Sequence, residues 1–280
     1  GGREMNYGSD LDVIFFYGGD GQTSAGLPAA YYFTELAQDL SRTMATATSL
    51  GLLYELDARL RPNGGKGPLA LSPEYFRQYW REGQLADWER MALTRARVVA
   101  GDEGVGERAQ HLIRSAIYSP LKDTQALARQ VRDMRRRLEE SAKPCDLKRG
   151  RGGIMDVEFI TQYLQLVHGA ALPPLRQANT VQGLKALVKF KKLDAEEGAF
   201  LLEAYEFLGR MENRVRIVHG LSTNQLPQNP EALRKLALRA GYCNSGTQPA
   251  EQALMTDYDR YTRRVRELFL RLVDPGSAPA

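Results

Sequence analysis

The stretch GSDLDVIFFY, residues 8–17, decides how the first part of this chain is interpreted. Two carboxylates, Asp10 and Asp12, lie one residue apart and lead directly into a strongly apolar run. This run is rich in β-forming residues and ends at the turn GGDG, which predicts a short buried strand over 11–17. Side chains two residues apart project from the same face of a strand, with their Cα atoms about 6.6 Å apart. We therefore expect the two carboxylates to point together.

A pair of carboxylates at this spacing suits a divalent cation, and hard oxygen ligands favour Mg²⁺ or Mn²⁺. Two such cations about 3.5–4 Å apart suit in-line phosphoryl or nucleotidyl transfer. A second predicted strand, LLYELDARLRP (52–62), alternates apolar and polar residues and presents Asp57 as a third carboxylate, with Glu55 on the same face. The alternative interpretation is an ordinary turn before a strand, in which Asp10 and Asp12 are solvated.

Small residues before the acids extend this hypothesis to a phosphate site. Gly1 and Gly2 begin the chain, and Ser9 lies next to Asp10. Glycines allow backbone N–H groups to approach a phosphate closely, and a serine hydroxyl adds a donor.

Basic residues near Asp57 point the same way. Arg59 and Arg61 share its polar face, where they can hold a triphosphate as bidentate partners or neutralise the acids of an empty site. Lys66, in the loop NGGKG (63–67), is either a phosphate contact or a solvated loop lysine.

The rest of the chain is predicted to be mainly helical. Helices are expected over 29–50 and from Ser72-Pro73 onward, the latter with a serine N-cap. Apolar residues three and four apart predict long amphipathic helices near 127–138, 204–218 and 254–272, and another helix follows GRGGIMDVEF (150–159). The predicted fold class is α+β. It comprises a mixed subdomain over 1–103, an all-α helix bundle over 104–275 and a disordered tail over 276–280.

Composition narrows the function classes. The net charge of +4 and a pI near 9.0 suit an anionic ligand but fall short of a nucleic-acid-binding surface. The basic run over 129–137 is therefore expected to be a solvated face or a docking face for an acidic partner. Neither a membrane span nor a secretory signal is indicated, and two distant cysteines fit a reducing cytoplasm. No nucleic-acid or membrane partner is expected.

Asp156 and Glu158, in the block GRGGIMDVEF, look like a second metal-binding pair. On a helix, however, residues two apart point about 200° apart and cannot grip one ion. Acids at a helix start more often complement the helix dipole, so the role of this pair stays open.

Four blocks follow one another along the chain: GGREMNYGSDLDVIFFY (1–17), LYELDARLRPNGGKGPLALS (53–72), DWERMALTRARVVAGD (87–102) and GRGGIMDVEFITQYLQL (150–166). Together they resemble the glutamine synthetase adenylyltransferase family, also called glutamate–ammonia-ligase adenylyltransferases. The resemblance implies a DNA-polymerase-β-like nucleotidyltransferase subdomain, with Asp10 and Asp12 as its metal-binding pair and Asp57 as its third carboxylate. It assigns Gly1 and Gly2 to the phosphate-binding loop. The helix and strand that normally precede this loop are missing, so a fragment truncated at its N-terminus is expected.

The resemblance implies Mg²⁺-dependent transfer of AMP from ATP to a tyrosine of glutamine synthetase, with Asp57 helping to deprotonate the tyrosine. The motifs LYELDARLRP and GGIMDVEFITQYL resemble the adenylylating module, whereas the adenylyl-removing module more typically reads RVDMRLRP and GGIREIEF. Removal of AMP by phosphorolysis, which yields ADP, is the first alternative. A regulatory module that binds a PII-type signal protein or glutamine without doing chemistry is the second. The expected location is the cytoplasm.

Overall fold

The computed structural model of the chain describes residues 2–49, 51, 54–219, 223–245, 248–274 and 276. It has an α+β architecture, in which two short parallel strand pairs and helix α1 (Ala29–Met44) occupy the first 71 residues and the rest of the chain is mainly helical. The chain divides into two compact units. The first comprises Ser9–Ser119 and the short segment that ends at Glu4, and the second comprises the chain from Pro120 onward and the segment Met5–Gly8.

The division follows Ser119, which is later than the predicted boundary after residue 103. The helix Glu103–Ile117 packs against two helices of the first unit and therefore belongs to it. Arg90 of the first unit binds the C-terminal end of this helix. Its Nη2 atom donates to the carbonyl oxygens of Ile117 at 2.7 Å and Ser119 at 3.0 Å. Of the predicted tail over 276–280, all but Gly276 lies outside the described residues.

Two parallel strand pairs form the β part of the first unit. Strand β1 (Leu11–Asp12) pairs with β3 (Leu56–Asp57), and β2 (Phe15–Phe16) pairs with β4 (Ala70–Leu71). The single strand predicted over 11–17 is thus two shorter strands, because the chain changes partner between them. The last bond to β3 runs from the Val13 N–H to the Asp57 carbonyl (2.8 Å), and the Tyr17 N–H then donates to the Leu71 carbonyl (3.0 Å).

The strand predicted over 52–62 is confirmed only at Leu56–Asp57, and Leu52 and Leu53 lie outside the described residues. The strand ends after Asp57 because the Arg59 N–H turns back to the Asp57 carboxylate, at 2.8 Å from Oδ1. A side chain that takes a backbone donor in this way competes with the strand ladder.

Helix α1 (Ala29–Met44) ends before the predicted Leu50, which lies outside the described residues. Its buried face is narrow and consists of Ala29 and Ala37, whereas Leu36 and Leu40, which the helical spacing placed with the core, are exposed.

Further along the first unit, α2 (Pro73–Arg81), α3 (Asp87–Leu93) and α4 (Glu103–Ile117) follow. The predicted N-cap of α2 is confirmed, since the Ser72 hydroxyl accepts from the Tyr75 N–H at 3.2 Å.

The second unit is helical, as predicted. Its helices are α5 (Thr124–Glu140), α6 (Ile154–His168), α7 (Thr180–Lys189), α8 (Ala195–His219), α9 (Pro230–Arg239) and α10 (Ala250–Leu272). The core contains most of the apolar residues whose spacing predicted α5, α8 and α10, including Leu127, Leu208 and Val265, but Val218 near the end of α8 is exposed. Within the described residues, no helix combines the length and apolar character that crossing a membrane requires.

One buried carboxylate and the two arginines around it join three of these helices. Arg135 of α5 and Asp156 of α6 have fully buried side chains, and the Arg135 Nε donates to Asp156 Oδ1. Arg266 of α10 approaches the same carboxylate oxygen at 3.4 Å, and the Gly152 N–H donates to Oδ2 at 2.6 Å. The expectation that the basic run over 129–137 is a solvated face is therefore wrong for Arg135. Its charge is buried because a buried acid on the next helix requires it.

Gly152 allows the backbones of two segments to meet. It adopts φ +69°, and a Cβ at this position would lie 1.7 Å from the Thr262 carbonyl oxygen of α10. No side chain fits at that distance, so the loop before α6 can reach α10 only with glycine here.

The variant Gly152→Ala is expected to lower the free energy of unfolding by about 2–5 kcal/mol, from overpacking and the left-handed backbone together. Denaturant unfolding followed by far-UV circular dichroism measures this change. Gly209→Ala is the matched control, because a Cβ at Gly209 of α8 meets no atom within 4 Å. The control should gain roughly 0.5–1 kcal/mol, since alanine favours a helix interior. Wild-type stability of Gly152→Ala would contradict the close approach to α10.

Candidate active site

The register of β1 and β3 brings two of the predicted acids together. Asp12 lies directly opposite Asp57 in this parallel pair. Neighbouring strands are about 4.8 Å apart, and residues paired in this way project from the same face of a sheet. Asp10, two residues before Asp12, is expected on that face too. Asp10 and Asp12 are exposed, and Asp57 is partly buried.

Arg59 holds the carboxylate of Asp57. Its Nε atom donates to Oδ1 at 2.9 Å and to Oδ2 at 2.8 Å, and its Nη2 atom also donates to Oδ2. These bonds lower the pKa of Asp57 below its ordinary 3.8. The same bond to Asp57 raises the pKa of Arg59, and the negative charges of Asp10 and Asp12 contribute further. One guanidinium thus lies in the field of all three predicted acids.

The three acids do not converge on a common point in this arrangement. Among the described residues, no group of three or more His, Cys, Asp or Glu side chains is placed to hold a metal ion. The carboxylates nevertheless form the oxygen-only set that Mg²⁺ and Mn²⁺ prefer. Asp57, the third carboxylate of the set, is bound by Arg59. A cation could therefore bind Asp57 only after that arginine had moved. Glu55, the alternative third acid, is exposed one residue before β3.

Arg61 supports the loop that follows β3 and does not point away from it. Its guanidinium donates to backbone carbonyls, from Nε to Pro68 O at 3.0 Å and from Nη2 to Gly67 O at 3.2 Å. A Cβ at Gly67 would lie 2.0 Å from the Pro62 carbonyl oxygen, so glycine is required for this tight turn. Lys66 is exposed at the end of the short 3₁₀ helix Gly64–Lys66. The structure therefore leaves Lys66 available to a phosphate and commits Arg61 to the loop.

The predicted phosphate-binding residues at the start of the chain are described only in part. Gly1 lies outside the described residues, Gly2 is buried and Ser9 is half-buried. Gly8, which precedes Ser9, adopts φ 65°, a left-handed conformation that glycine reaches without strain.

Both parts of the chain match models of known protein families. Residues 1–112 match the family model described as Glutamate-ammonia ligase adenylyltransferase, and residues 124–273 match the one described as GlnD PII-uridylyltransferase. Relatives include bifunctional glutamine synthetase adenylyltransferase/adenylyl-removing enzymes from Xanthomonas campestris pv. campestris, 37% identical over 282 residues, and Stenotrophomonas maltophilia, 38% identical over 292 residues.

Through residues 124–273, more than half of its length, the chain belongs to the GlnD PII-uridylyltransferase domain family, and its residues 1–112 are similar to the glutamate–ammonia ligase adenylyltransferase family. The two alignments cover 98% and 100% of this chain but only 29% and 30% of the relatives. The chain therefore spans less than a third of the length of these relatives.

One ion pair of the first unit is not indicated by any local sequence pattern. Glu4 and Arg95, which follows α3, form an ion pair at 2.8 Å within the first unit. The two residues are 91 positions apart, and no periodic pattern links them. Local patterns cannot reveal such a pair.

The second acidic pair, Asp156 and Glu158, does not form a metal site. Asp156 is fully buried and bound to Arg135, as described above, so it is a structural acid, which is the interpretation that the helical spacing favoured. Glu158 is half-buried, and the Tyr205 hydroxyl lies 3.5 Å from its Oε1 atom.

The variant Arg59→Gln is expected to raise the pKa of Asp57 toward 3.8, because the bond that lowers it is lost. A depressed carboxyl pKa adds stability above the unfolded-state pKa, and this stability is lost as the pH falls through the folded-state pKa. The wild-type and variant stabilities should therefore converge in acid and differ above about pH 4. Carboxyl NMR titration measures the pKa. Arg81→Gln, at the exposed end of α2, is the control and should leave Asp57 unchanged.

Proposed function

We propose that this chain transfers AMP from ATP to a tyrosine hydroxyl of glutamine synthetase, with pyrophosphate as the leaving group, and so regulates nitrogen assimilation. The observation that carries the proposal is that Asp12 lies opposite Asp57, with Asp10 two residues earlier. All three acids lie within the residues that match the adenylyltransferase family model. The names of the relatives, which specify glutamine synthetase adenylyltransferase, supply the substrate.

We also propose that the first unit is a polymerase-β-like nucleotidyltransferase subdomain. In support, acids lie where two parallel strands pair, and a glycine-rich segment precedes them. A cytoplasmic location is part of the proposal; its support is the pair of free cysteines, Cys145 and Cys243, within the described residues.

Asp10, Asp12 and Asp57 would hold Mg²⁺, or Mn²⁺ in its place, because their oxygens are the hard ligands that both ions take. Such a cation stabilises charge on the attacking and leaving oxygens. Arg59 is the residue that must change partner. It binds Asp57 through a planar fork that matches a phosphate equally well, so an arriving triphosphate can draw it away from the acid.

This exchange of partners has a chemical consequence for Asp57. While Arg59 is bound, the lowered pKa makes Asp57 a weak base. Loss of the guanidinium raises that pKa, and the Asp57 carboxylate becomes a better acceptor for the tyrosine hydroxyl proton. Gly1, Gly2, Ser9 and Lys66 would bind the phosphates through backbone N–H groups, a hydroxyl and an ammonium group. Arg61 would act by supporting the loop that carries Lys66.

The helical unit would contribute the docking surface for glutamine synthetase. Because residues 124–273 match a model described as a PII-uridylyltransferase, we propose a PII-type signal protein, together with glutamine, as effectors of the same unit.

Replacing either acid of the pair, Asp10→Asn or Asp12→Asn, is expected to lower AMP incorporation into glutamine synthetase by about 10²- to 10³-fold, the usual effect of removing one electrostatic partner of a transition state. Radiolabelled ATP and a full-length polypeptide containing this chain provide the assay. Both acids are exposed, so the thermal unfolding curve should not change. Asp39→Asn, an exposed acid on α1, is the matched control. Unchanged incorporation in either variant would refute the metal-pair assignment.

Adenylyl removal is the second candidate, since the relatives carry both activities in their names. Incubation with adenylylated glutamine synthetase and inorganic phosphate separates the two. The adenylylating module should yield no ADP, and steady release of ADP would assign the chain to the removing module. Calorimetric titration with ATP and Mg²⁺ tests the regulatory alternative, because a module that performs no chemistry on ATP should show no binding heat.

A further inference from the structure

The short segment Met5–Gly8 belongs to the helical unit, although the residues before and after it belong to the first unit. Two side chains of helix α8 hold it. The Asn6 side-chain amide donates to Oε2 of Glu212, and Nη1 of Arg216 donates to the Tyr7 carbonyl oxygen at 2.8 Å. The segment is thus bound through both a side chain and its backbone.

Glu212 and Arg216 are a buried ion pair one helical turn apart. Their side chains are 1% and 5% exposed, and Nη2 of Arg216 donates to Oε1 of Glu212 at 2.9 Å and to Oδ1 of Asn224. Burial raises the pKa of Glu212, and the charges of Arg216 and Lys148 oppose this rise. Removing two charges from water is costly, so such a pair needs a structural or functional reason.

Both carboxylate oxygens of Glu212 are in use. Oε1 accepts from Arg216, and Oε2 accepts from Asn6. A glutamine at this position would keep one acceptor oxygen and would turn an NH₂ group toward either the Asn6 amide or the guanidinium, both of which are donors. A carboxylate is therefore needed to satisfy both partners at once.

We propose that Glu212 and Arg216 are positioning residues for the AMP transfer proposed above, on which this inference rests. By holding Met5–Gly8, they restrict the motion of the backbone that continues directly into Ser9 and Asp10. Gly8, with φ 65°, is the turn between the held segment and these residues. Asp10 follows the held segment by two residues along the chain, so restraint of the segment reaches the acidic pair through the backbone.

The first test measures backbone hydrogen–deuterium exchange in the 280-residue chain and needs no assumption about activity. Asn6→Ala and Glu212→Gln should each speed exchange over residues 5–12 by roughly tenfold, the equivalent of one hydrogen bond to a charged group. Exchange in α6 should stay at the wild-type rate. Asn6 is only half-buried, so its variant tests the contact even if Glu212→Gln unfolds.

The double variant Asn6→Asp with Glu212→Gln reverses donor and acceptor. The amide introduced at position 212 donates to the carboxylate introduced at position 6. The oxygen of that amide still accepts from Arg216, so slow exchange over residues 5–12 should return. Gln225→Ala is the matched control, because Gln225 donates one amide hydrogen bond in the same unit, to the Pro144 carbonyl at 2.9 Å. The control should match wild type.

The second test measures AMP transfer kinetics with a full-length polypeptide containing this chain. Both single variants should lower kcat about tenfold and leave the KM for glutamine synthetase unchanged, and the double variant should recover kcat. Unaltered exchange in both single variants, or a double variant no better than they are, would overturn the inference. Slow transfer without faster exchange would also overturn it. If the wild type transfers no AMP, the proposed function fails, and the exchange measurement still decides whether α8 holds the segment.

Discussion

A carboxylate that leaves water must meet a positive charge or several donors, and the helical unit is organised by one such case. Asp156 is fully buried, and its charge is matched by Arg135 of α5, by Arg266 of α10 and by the Gly152 N–H. Removing one partner from such a cluster typically costs about 3–5 kcal/mol, because the remaining charge stays buried. Helices α5, α6 and α10 therefore keep the spacing that this carboxylate requires, and Gly152 is the small residue that permits it.

Three arginines that neutralise carboxylates in this way differ in how far their side chains are exposed. Arg135 is 0% exposed and Arg216 is 5% exposed, so neither can change partner without a large rearrangement. Arg59 is 79% exposed, while its partner Asp57 is 15% exposed. Exposed ion pairs contribute little stability, and an exposed guanidinium can move to another anion at little cost. This contrast makes Arg59 suited to an exchange between acid and triphosphate, and it makes Arg135 and Arg216 suited to holding elements in place.

Much of the fold could be predicted from local patterns. The spacing of Leu127, Leu208 and Val265 with their neighbours predicted three helices, and Ser72 predicted a helix start, because periodicity and capping act over a few residues. The strands were predicted less well. The run over 11–17 changes partner midway, and the run over 52–62 is stopped by the Asp57 side chain, so strand length depended on contacts that alternation does not encode. Arg135 was misjudged for a similar reason, since a basic residue in a polar run gives no sign of its partner.

The sequence by itself determined that three acids and several basic residues accompany two short strands, and that a helical unit follows. It could do so because spacing along a strand or a helix depends only on backbone geometry. Only the tertiary structure decided that Asp12 lies opposite Asp57, that Arg59 rather than Arg61 holds that acid, and that Glu212 and Arg216 hold the segment before Ser9. The last contact joins residues 209 positions apart. Pairing at that distance follows from how helices and loops pack, which no short stretch of sequence specifies.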